Sequence, residues 1–582
     1  MDLSQDSIHT VIHPTAAFCA LAASQPPSMS PTTPPSVPWC HSTLNPKNRI
    51  ESLTLPLEPL WRIDGCTALG TQFFACPLFL PRHAIRPYRI DVFIPEPATL
   101  PRHLRVLLDM DATFYTHDGR RIAPLAITRH IVRILDHWTR SLPRPLDRFY
   151  HGLPFGSRIV VLNMPHDVKK ARIKLFPAHA LERQLLSISS LRRLWGQDVE
   201  LPPTLDFHQV TYVSQLHDSV CLVHVNGSSL VLKTLTSHTK YLYHELRNLI
   251  SIPPHRHVIA RPMHLIIKRC SFGSKEAVIG YTLQFHSHGS LDRVIPFFQL
   301  HSRLSLCDKL NWSCQLVSAL QHLRRKATIF YPDLRLENIV LSEAGHVVMV
   351  DFEQRGVWCE FAAPEVNAIE YMRLLAVDDK IDPLIRQRYV RLLDTTLPQW
   401  ETMVENENYA TSPPPSDNYN VPWSCLSSVE QEASEVYMLG RILWCIFEAT
   451  SAPQHSTPWI SYLWEPVVEF PKYTAMTPAP VRTLIDHCTR GARPGLSDLI
   501  VRQGSKLVLR RFENPDASTP RLVQSTARDW WATEIEQSER WLQARSQGMA
   551  NGNWNHNYYN RPSLRQVYNA LEDMRLDPLF QT

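Results

Sequence analysis

A chain of 582 residues is too long for one compact core, and its length suggests roughly three or four domain-sized units. Hydrophobic residues make up 44% and charged residues 20%, an ordinary globular balance that excludes a wholly disordered chain. The net charge of +5 is small for this length, so no nucleic-acid partner is expected.

In chain order, residues 1–50 come first as a Pro/Ser/Thr-rich tail. It includes Ser24-Gln25-Pro26-Pro27-Ser28-Met29-Ser30-Pro31-Thr32-Thr33-Pro34-Pro35, a composition that buries little apolar surface and predicts disorder. Ser30-Pro31 and Thr33-Pro34 fit proline-directed phosphorylation, although a plain flexible tail is the simpler expectation. Asp2 and Asp6, with no Lys or Arg, precede the short apolar stretch Ala16–Ala23, so no secretory signal is expected.

From 51 to 205 strand-like and helical pieces alternate. Tyr88–Ile94 alternates polar and apolar residues as a strand does, and Ile127–Ser141 has helical periodicity. Arg158–Leu162 and Ala171–Phe176 suit a strand pair, with a helix over Leu181–Trp195 behind it. No repeat and no recognisable chemistry occurs here, and the region is expected to be an α+β accessory unit packed on the rest of the chain. The basic runs Lys169-Lys170-Ala171-Arg172 and Arg324-Arg325-Lys326 read as solvated faces.

Twelve scattered cysteines include no Cys-x-x-Cys pair, which argues against a zinc ribbon and fits a reducing compartment. The strongest apolar stretch, Leu439–Phe447, is too short to cross a bilayer. A soluble protein of the cytoplasm or nucleus, without a membrane partner, is expected.

The chemistry begins at Ser219–Val225 and Ser228–Leu235, two β-rich runs joined by Asn226-Gly227, a strong hairpin signal. Lys233 lies in the second run, and a helix-like segment about a dozen residues on offers Glu245. Alone, this pair reads as a surface lysine and a solvated glutamate. Farther along, Tyr331-Pro332-Asp333-Leu334-Arg335-Leu336-Glu337-Asn338 comes after a helical run. A short strand pair then leads into Val350-Asp351-Phe352-Glu353. One Asp, an Asn five residues later and a further Asp at a strand end supply one carboxylate for proton handling and two oxygen ligands for magnesium.

These segments resemble the signature set of the eukaryotic protein kinase superfamily. Tyr331-Pro332-Asp333 stands where His-Arg-Asp is usual, and Asp351-Phe352-Glu353 where Asp-Phe-Gly is usual. Ala363-Pro364-Glu365 matches the motif that closes the activation segment. Glu435-Val436-Tyr437-Met438-Leu439-Gly440 and Arg561-Pro562-Ser563-Leu564 resemble two later elements. The arginine of the last usually pairs with the glutamate of the Ala-Pro-Glu motif, here Glu365. In their divergence and Pro-rich insertions these segments look like kinase-domain proteins of filamentous fungi.

The resemblance implies a bilobal α+β fold over 206–582, with a small β-rich lobe from about 206 to 286, a large helical lobe, and insertions near 366–430 and 490–558. It implies ATP and Mg2+ as cofactors and a protein substrate bearing a Ser/Thr hydroxyl. Lys233 would hold phosphates and pair with Glu245, and Asp333 would handle the hydroxyl proton. Arg335 would keep positive charge near the γ-phosphate, while Asn338 and Asp351 would ligate magnesium. Val220 would contact the nucleotide, and backbone near Gln284 and His286 would face adenine.

Several positions depart from the pattern. The phosphate-covering segment Val213–Val220 contains no glycine, although such loops need close backbone approach, and Asp218 there is of the sign that repels phosphate. Glu353 replaces the usual glycine, and Pro332 removes the arginine that pairs with a phosphorylated loop. Only about a dozen residues separate Asp351 from Ala363. Two rivals therefore stand beside an active protein kinase: a pseudokinase used as a nucleotide-binding or scaffold module, and a small-molecule kinase of related fold. Ala363-Pro364-Glu365 and Arg561 argue against the second. His255-Arg256-His257 and His286-Ser287-His288 read as loop residues rather than metal ligands, and Tyr558-Tyr559 with Trp554 as residues buried against the helical part.

Overall fold

A computed structural model of the chain describes residues 14–15, 57–67, 70–79, 89–96, 99–110, 122–142, 152–271, 273–327, 329–353, 361–398, 400, 409, 421–451, 470–503, 506–510 and 519–580. The segment around Ser30-Pro31 and Thr33-Pro34 and the Pro/Ser break at 412–417 lie outside them. The architecture is mixed α+β, with two sheets early in the chain and helices dominating the rest.

The first sheet has five strands in sequential order: β1 (Trp61–Thr67), β2 (Gln72–Pro77), β3 (Ile90–Phe93), β4 (Arg158–Val161) and β5 (Ile173–Phe176). Only the β3–β4 pair is parallel. The connection between those two strands holds helix α1 (Ala126–Ser141), whose Ile127, Ile131, Ile134 and Leu135 recur at helical spacing and enter the apolar cluster shared with the sheet. Two polar contacts fix the helix to β1: Asp136 accepts from the Leu60 amide at 3.0 Å, and the Trp61 indole donates to Thr139 at 2.7 Å.

The strand expected at Tyr88–Ile94 is β3, and the expected pair over 158–162 and 171–176 is the antiparallel β4–β5. The single helix expected over Leu181–Trp195 is broken instead. A short helix, His179–Gln184, ends at extended Leu185, and α2 (Ile188–Trp195) restarts under the Ser187 side chain, which accepts from the Ser190 amide at 3.1 Å. The interruption satisfies other backbone: Leu186 donates to the Tyr243 hydroxyl and accepts from the Val278 amide.

The second sheet has six strands in the order β6 (Thr204–Asp206), β10 (His264–Arg269), β11 (Glu276–Gln284), β9 (Ser228–Thr234), β8 (Val220–Val225) and β7 (Thr211–His217). Only β6–β10 is parallel. The β8–β9 turn is the one the Asn-Gly pair demands: Asn226 and Gly227 both take left-handed backbone, at φ 49° and 82°. Helix α3 (Thr239–Ser251) comes next, burying Leu242, Leu246 and Leu249. The two sheets share an apolar cluster in which Cys76, Phe155, Leu181 and Leu185 meet Tyr212, Cys221, Val223 and Leu232.

The remaining larger helices are α4 (Leu291–Leu300), α5 (Leu306–His322), α6 (Pro364–Val377), α7 (Pro383–Thr396), α8 (Ser428–Glu448), α9 (Ala479–Cys488), α10 (Pro520–Ala550) and α11 (Leu564–Arg575). Two small ladders, β12 (Ile339–Leu341) with β13 (Val347–Met349) and β14 (Ile500–Gln503) with β15 (Lys506–Leu509), lie among them. Helix α8 is buried along nearly its whole length and packs on α5 and α9. Helix α7, inside the expected insertion near 366–430, is capped by Asp382 on the Leu384 amide. Among the described residues no helix is long and apolar enough to cross a membrane.

Candidate functional site

The site gathers where β9, α3, the end of β13 and the segment before β12 meet. Lys233 is an inward residue of β9, and Gly280 on β11 permits the close pairing there, because a Cβ at 280 would overlap the Lys233 carbonyl. The buried Lys233 ammonium lies 2.5 Å from Glu245 on α3, 2.7 Å from Asp351 and 3.0 Å from Glu353. The bland expectation of a surface lysine and a solvated glutamate is thereby overturned. Burial opposes the charge on Lys233, yet Asp351, Glu245 and Glu353 together hold its pKa well above the ordinary lysine value.

Burial pushes the Glu245 carboxyl up, against the pull of Lys233. Burial would raise Asp351 too, but Lys233 and its hydrogen bond more than offset this and hold Asp351 below the usual carboxylate range. Asp351 sits at φ 65°, a left-handed conformation that few residues other than glycine adopt, at the point where the chain turns away from β13. The next residue, Phe352, donates its amide to Glu245 at 2.8 Å, and its carbonyl accepts from Asn248 on α3 at 3.1 Å. Its ring, fully buried, meets Tyr331 edge-on at 5.1 Å.

The segment before β12 is tied down as firmly. The Asn338 carboxamide donates to the backbone carbonyl and to the carboxylate of Asp333, both at 3.0 Å. Arg335 lies 3.2 Å from Asp333 and 2.9 Å from Glu337. Burial raises Asp333 to about 6, against the opposing pull of Arg335. The Val350 amide donates to the Asn338 carbonyl at 3.0 Å, and the Tyr331 hydroxyl donates to the Val350 carbonyl, so this segment and the Asp351 turn are cross-linked.

Below them Glu435 of α8 accepts from the Tyr331 amide at 2.7 Å and pairs with Arg324 at 3.3 Å. Arg324 is therefore an internal partner rather than part of a solvated face, although its neighbours Arg325 and Lys326 are exposed, as are Lys169, Lys170 and Arg172. At the start of α6, Glu365 forms a two-pronged ion pair with Arg561, at 2.5 and 3.1 Å, and also accepts from Ser434 of α8.

Not every expected residue joins this centre. Val220 opens β8 directly opposite Lys233 in the ladder, whereas Gln284 closes β11 opposite Leu230, and His286 lies just beyond it, its carbonyl accepting from Gly289. Of the aromatic group near the C-terminus, Trp554 is partly buried, but Tyr558 is 50% exposed and stacks on it, which corrects the expectation that the whole group is covered. His255 and His257 lie in the loop that follows α3, as expected. They form a ring cluster with His322 and His346, with centroid separations of 4.6 to 5.8 Å along the chain of contacts.

Glu353 is the participant that sequence reasoning missed, because an acidic residue after Asp351-Phe352 announces nothing about where its side chain turns. Glu245, Asp351 and Glu353 place one carboxylate oxygen each within 4.8 Å of the others, but they do so around the Lys233 ammonium, so the cluster is an ion-pair shell before it is a metal cage. For a magnesium-bound polyphosphate the donor set fits: Asn338 and Asp351 offer hard oxygens, and Lys233 and Arg335 offer cations nearby. No protein-family model matches the chain, and no curated protein matches it.

Proposed function

We propose that the chain is a bilobal protein kinase that transfers the γ-phosphoryl group of Mg-ATP to a protein Ser/Thr hydroxyl. The single observation that carries this reading is the convergence of Lys233, Glu245, Asp333, Asn338 and Asp351, from four separate segments, on one hydrogen-bonded centre. The Arg561–Glu365 pair supports a protein kinase over a small-molecule kinase.

When bound, the magnesium ion would neutralise phosphate charge and orient the transferred group. Asn338 and Asp351 would hold it. Lys233, oriented by Glu245, would bind the α- and β-phosphate oxygens. Asp333, kept in place by Asn338, would accept or orient the proton of the incoming hydroxyl, and Arg335 would balance charge beside it. Catalysis of this kind rests on positioning and electrostatics.

The pseudokinase reading is favoured by one observation: Glu353 adds a third carboxylate to Lys233, at 3.0 Å, competing with phosphate for that ammonium. The discriminating experiment is ATP hydrolysis and autophosphorylation by the purified chain, beside Asp333→Asn and Lys233→Met. Turnover that falls by about 10²-fold or more in both variants is the expected result. No turnover, with no ATP-induced thermal shift, would leave a scaffold with a kinase shape.

A further inference from the structure

The glycine-free turn between β7 and β8 is built differently from a backbone cradle. From Ser214 to Ser219 every position carries a side chain and none offers the close backbone approach of glycine, which favours side chains as the partners of a phosphate there. The turn is braced from within. The Gln215 carboxamide, buried, donates to the carbonyls of His217, Asp218 and Val220.

It is also held from outside by the five-stranded sheet. The buried Arg89 guanidinium, 4.2 Å over the Phe74 ring and 3.1 Å from Asp91, reaches the Asp218 carboxylate at 3.2 Å. Two further contacts grip β7: the Tyr212 hydroxyl donates to Asp64 at 2.6 Å, and Arg62 donates to the Val213 carbonyl at 3.2 Å. The charge that the sequence set against phosphate is thus drawn toward an arginine of another sheet.

His217 is the residue this bracing presents. It pairs with Val220 across the β7–β8 ladder, and Val220 pairs with Lys233 across β8–β9. Directly opposed residues of antiparallel strands project to the same face, so His217, Val220 and Lys233 stand in a row on one side of the sheet. The His217 side chain is exposed, at the end of that row away from Lys233 and next to the β7–β8 turn.

We propose that His217 donates its imidazole N–H to the nucleotide phosphates in place of loop amides, and that the five-stranded sheet is the clamp that holds it there and neutralises Asp218. This rests on the nucleotide-binding reading of the site. It gives the N-terminal sheet a part in that site: without Arg89, Asp218 would stand as an uncompensated negative charge beside the phosphates.

The test is calorimetric affinity of the full chain for Mg-ATP and, separately, for adenosine, which has no phosphate. His217→Ala is expected to weaken Mg-ATP roughly tenfold and leave adenosine unchanged, with His217→Gln, which keeps a donor, retaining most of the affinity. Arg89→Leu is expected to weaken Mg-ATP similarly, and Asp218→Asn in that background to restore it. Unaltered Mg-ATP affinity in His217→Ala, with the parent chain binding both ligands, overturns this inference and leaves the nucleotide reading intact. A parent chain that binds neither ligand overturns both.

Discussion

Lys233 serves three carboxylates at once, and that crowding sets the chemistry of the residues around it. Asp333 stands apart from the crowd, paired with Arg335 rather than Lys233, and burial raises it to about 6. A proton acceptor must be ionised, so on the proposed mechanism turnover should fall about tenfold per pH unit below that value. A pH–rate profile at saturating Mg-ATP checks this, and a flat profile down to pH 5 would remove Asp333 from the proton-handling role. Stability runs the other way. Because Asp333 binds its proton more tightly when folded, its contribution declines as pH rises from about 4 to about 6 and is constant above.

At this scale the sequence was informative about which residues converge and silent about how they turn. Lys233, Glu245, Asp333, Asn338 and Asp351 stood out because the segments that carry them resemble, in the same order, the protein kinase signature set. Glu353, Arg324 and His217 did not, since their roles depend on side-chain direction in loops whose backbone no propensity dictates.

Elements are joined by single buried ion pairs. Arg561 spans Glu365 at the start of α6, the Ala433 carbonyl in α8 and the Arg490 carbonyl beyond α9. Breaking one partner strands a buried charge, so Arg561→Ala should cost about 3–5 kcal/mol in urea unfolding, whereas Glu365→Gln with Arg561→Met should cost less. A loss below about 1 kcal/mol in the single variant would mean that apolar packing alone closes this junction.

Elements with one strong local signal were legible: the Asn226-Gly227 hairpin and the α1 face. The break between Gln184 and Ser187 was not, because helical periodicity continues through it. What interrupts the helix is a distant demand, the hydrogen bonds of Leu186 to Tyr243 and Val278.

Across the whole molecule, His130 and the His255–His257 cluster must remain neutral in the fold. Burial lowers His130, inside the α1 core, to about 4, and burial with the neighbouring His322 lowers His255 to about 4. His257 is lowered as well, by burial and despite its contact with the Val347 carbonyl. Each binds its proton more weakly when folded than the ordinary histidine value of 6.5. Their stabilisation is therefore complete above about 6.5 and is lost as pH falls toward 4. The raised carboxyls, Asp333 and Glu435, work in the opposite direction over part of this range, so the comparison must be made within variants. His255→Gln should flatten the decline in Tm between pH 7 and pH 5, and an unchanged slope would show that the cluster does not govern it.

The apolar seam between the two sheets has a practical consequence. A cut at the 205/206 boundary that the sequence suggests would pass through a shared core. Phe155, Leu181 and Leu185 would go, and Val210, Tyr212, Val223 and Ile266 would be left facing water. Such a patch is adhesive. The part of this chain after residue 205 is thus a piece that does not come away clean, and any shortened form that stays in solution would have to keep, or replace, the sheet that now serves as its lid against self-association.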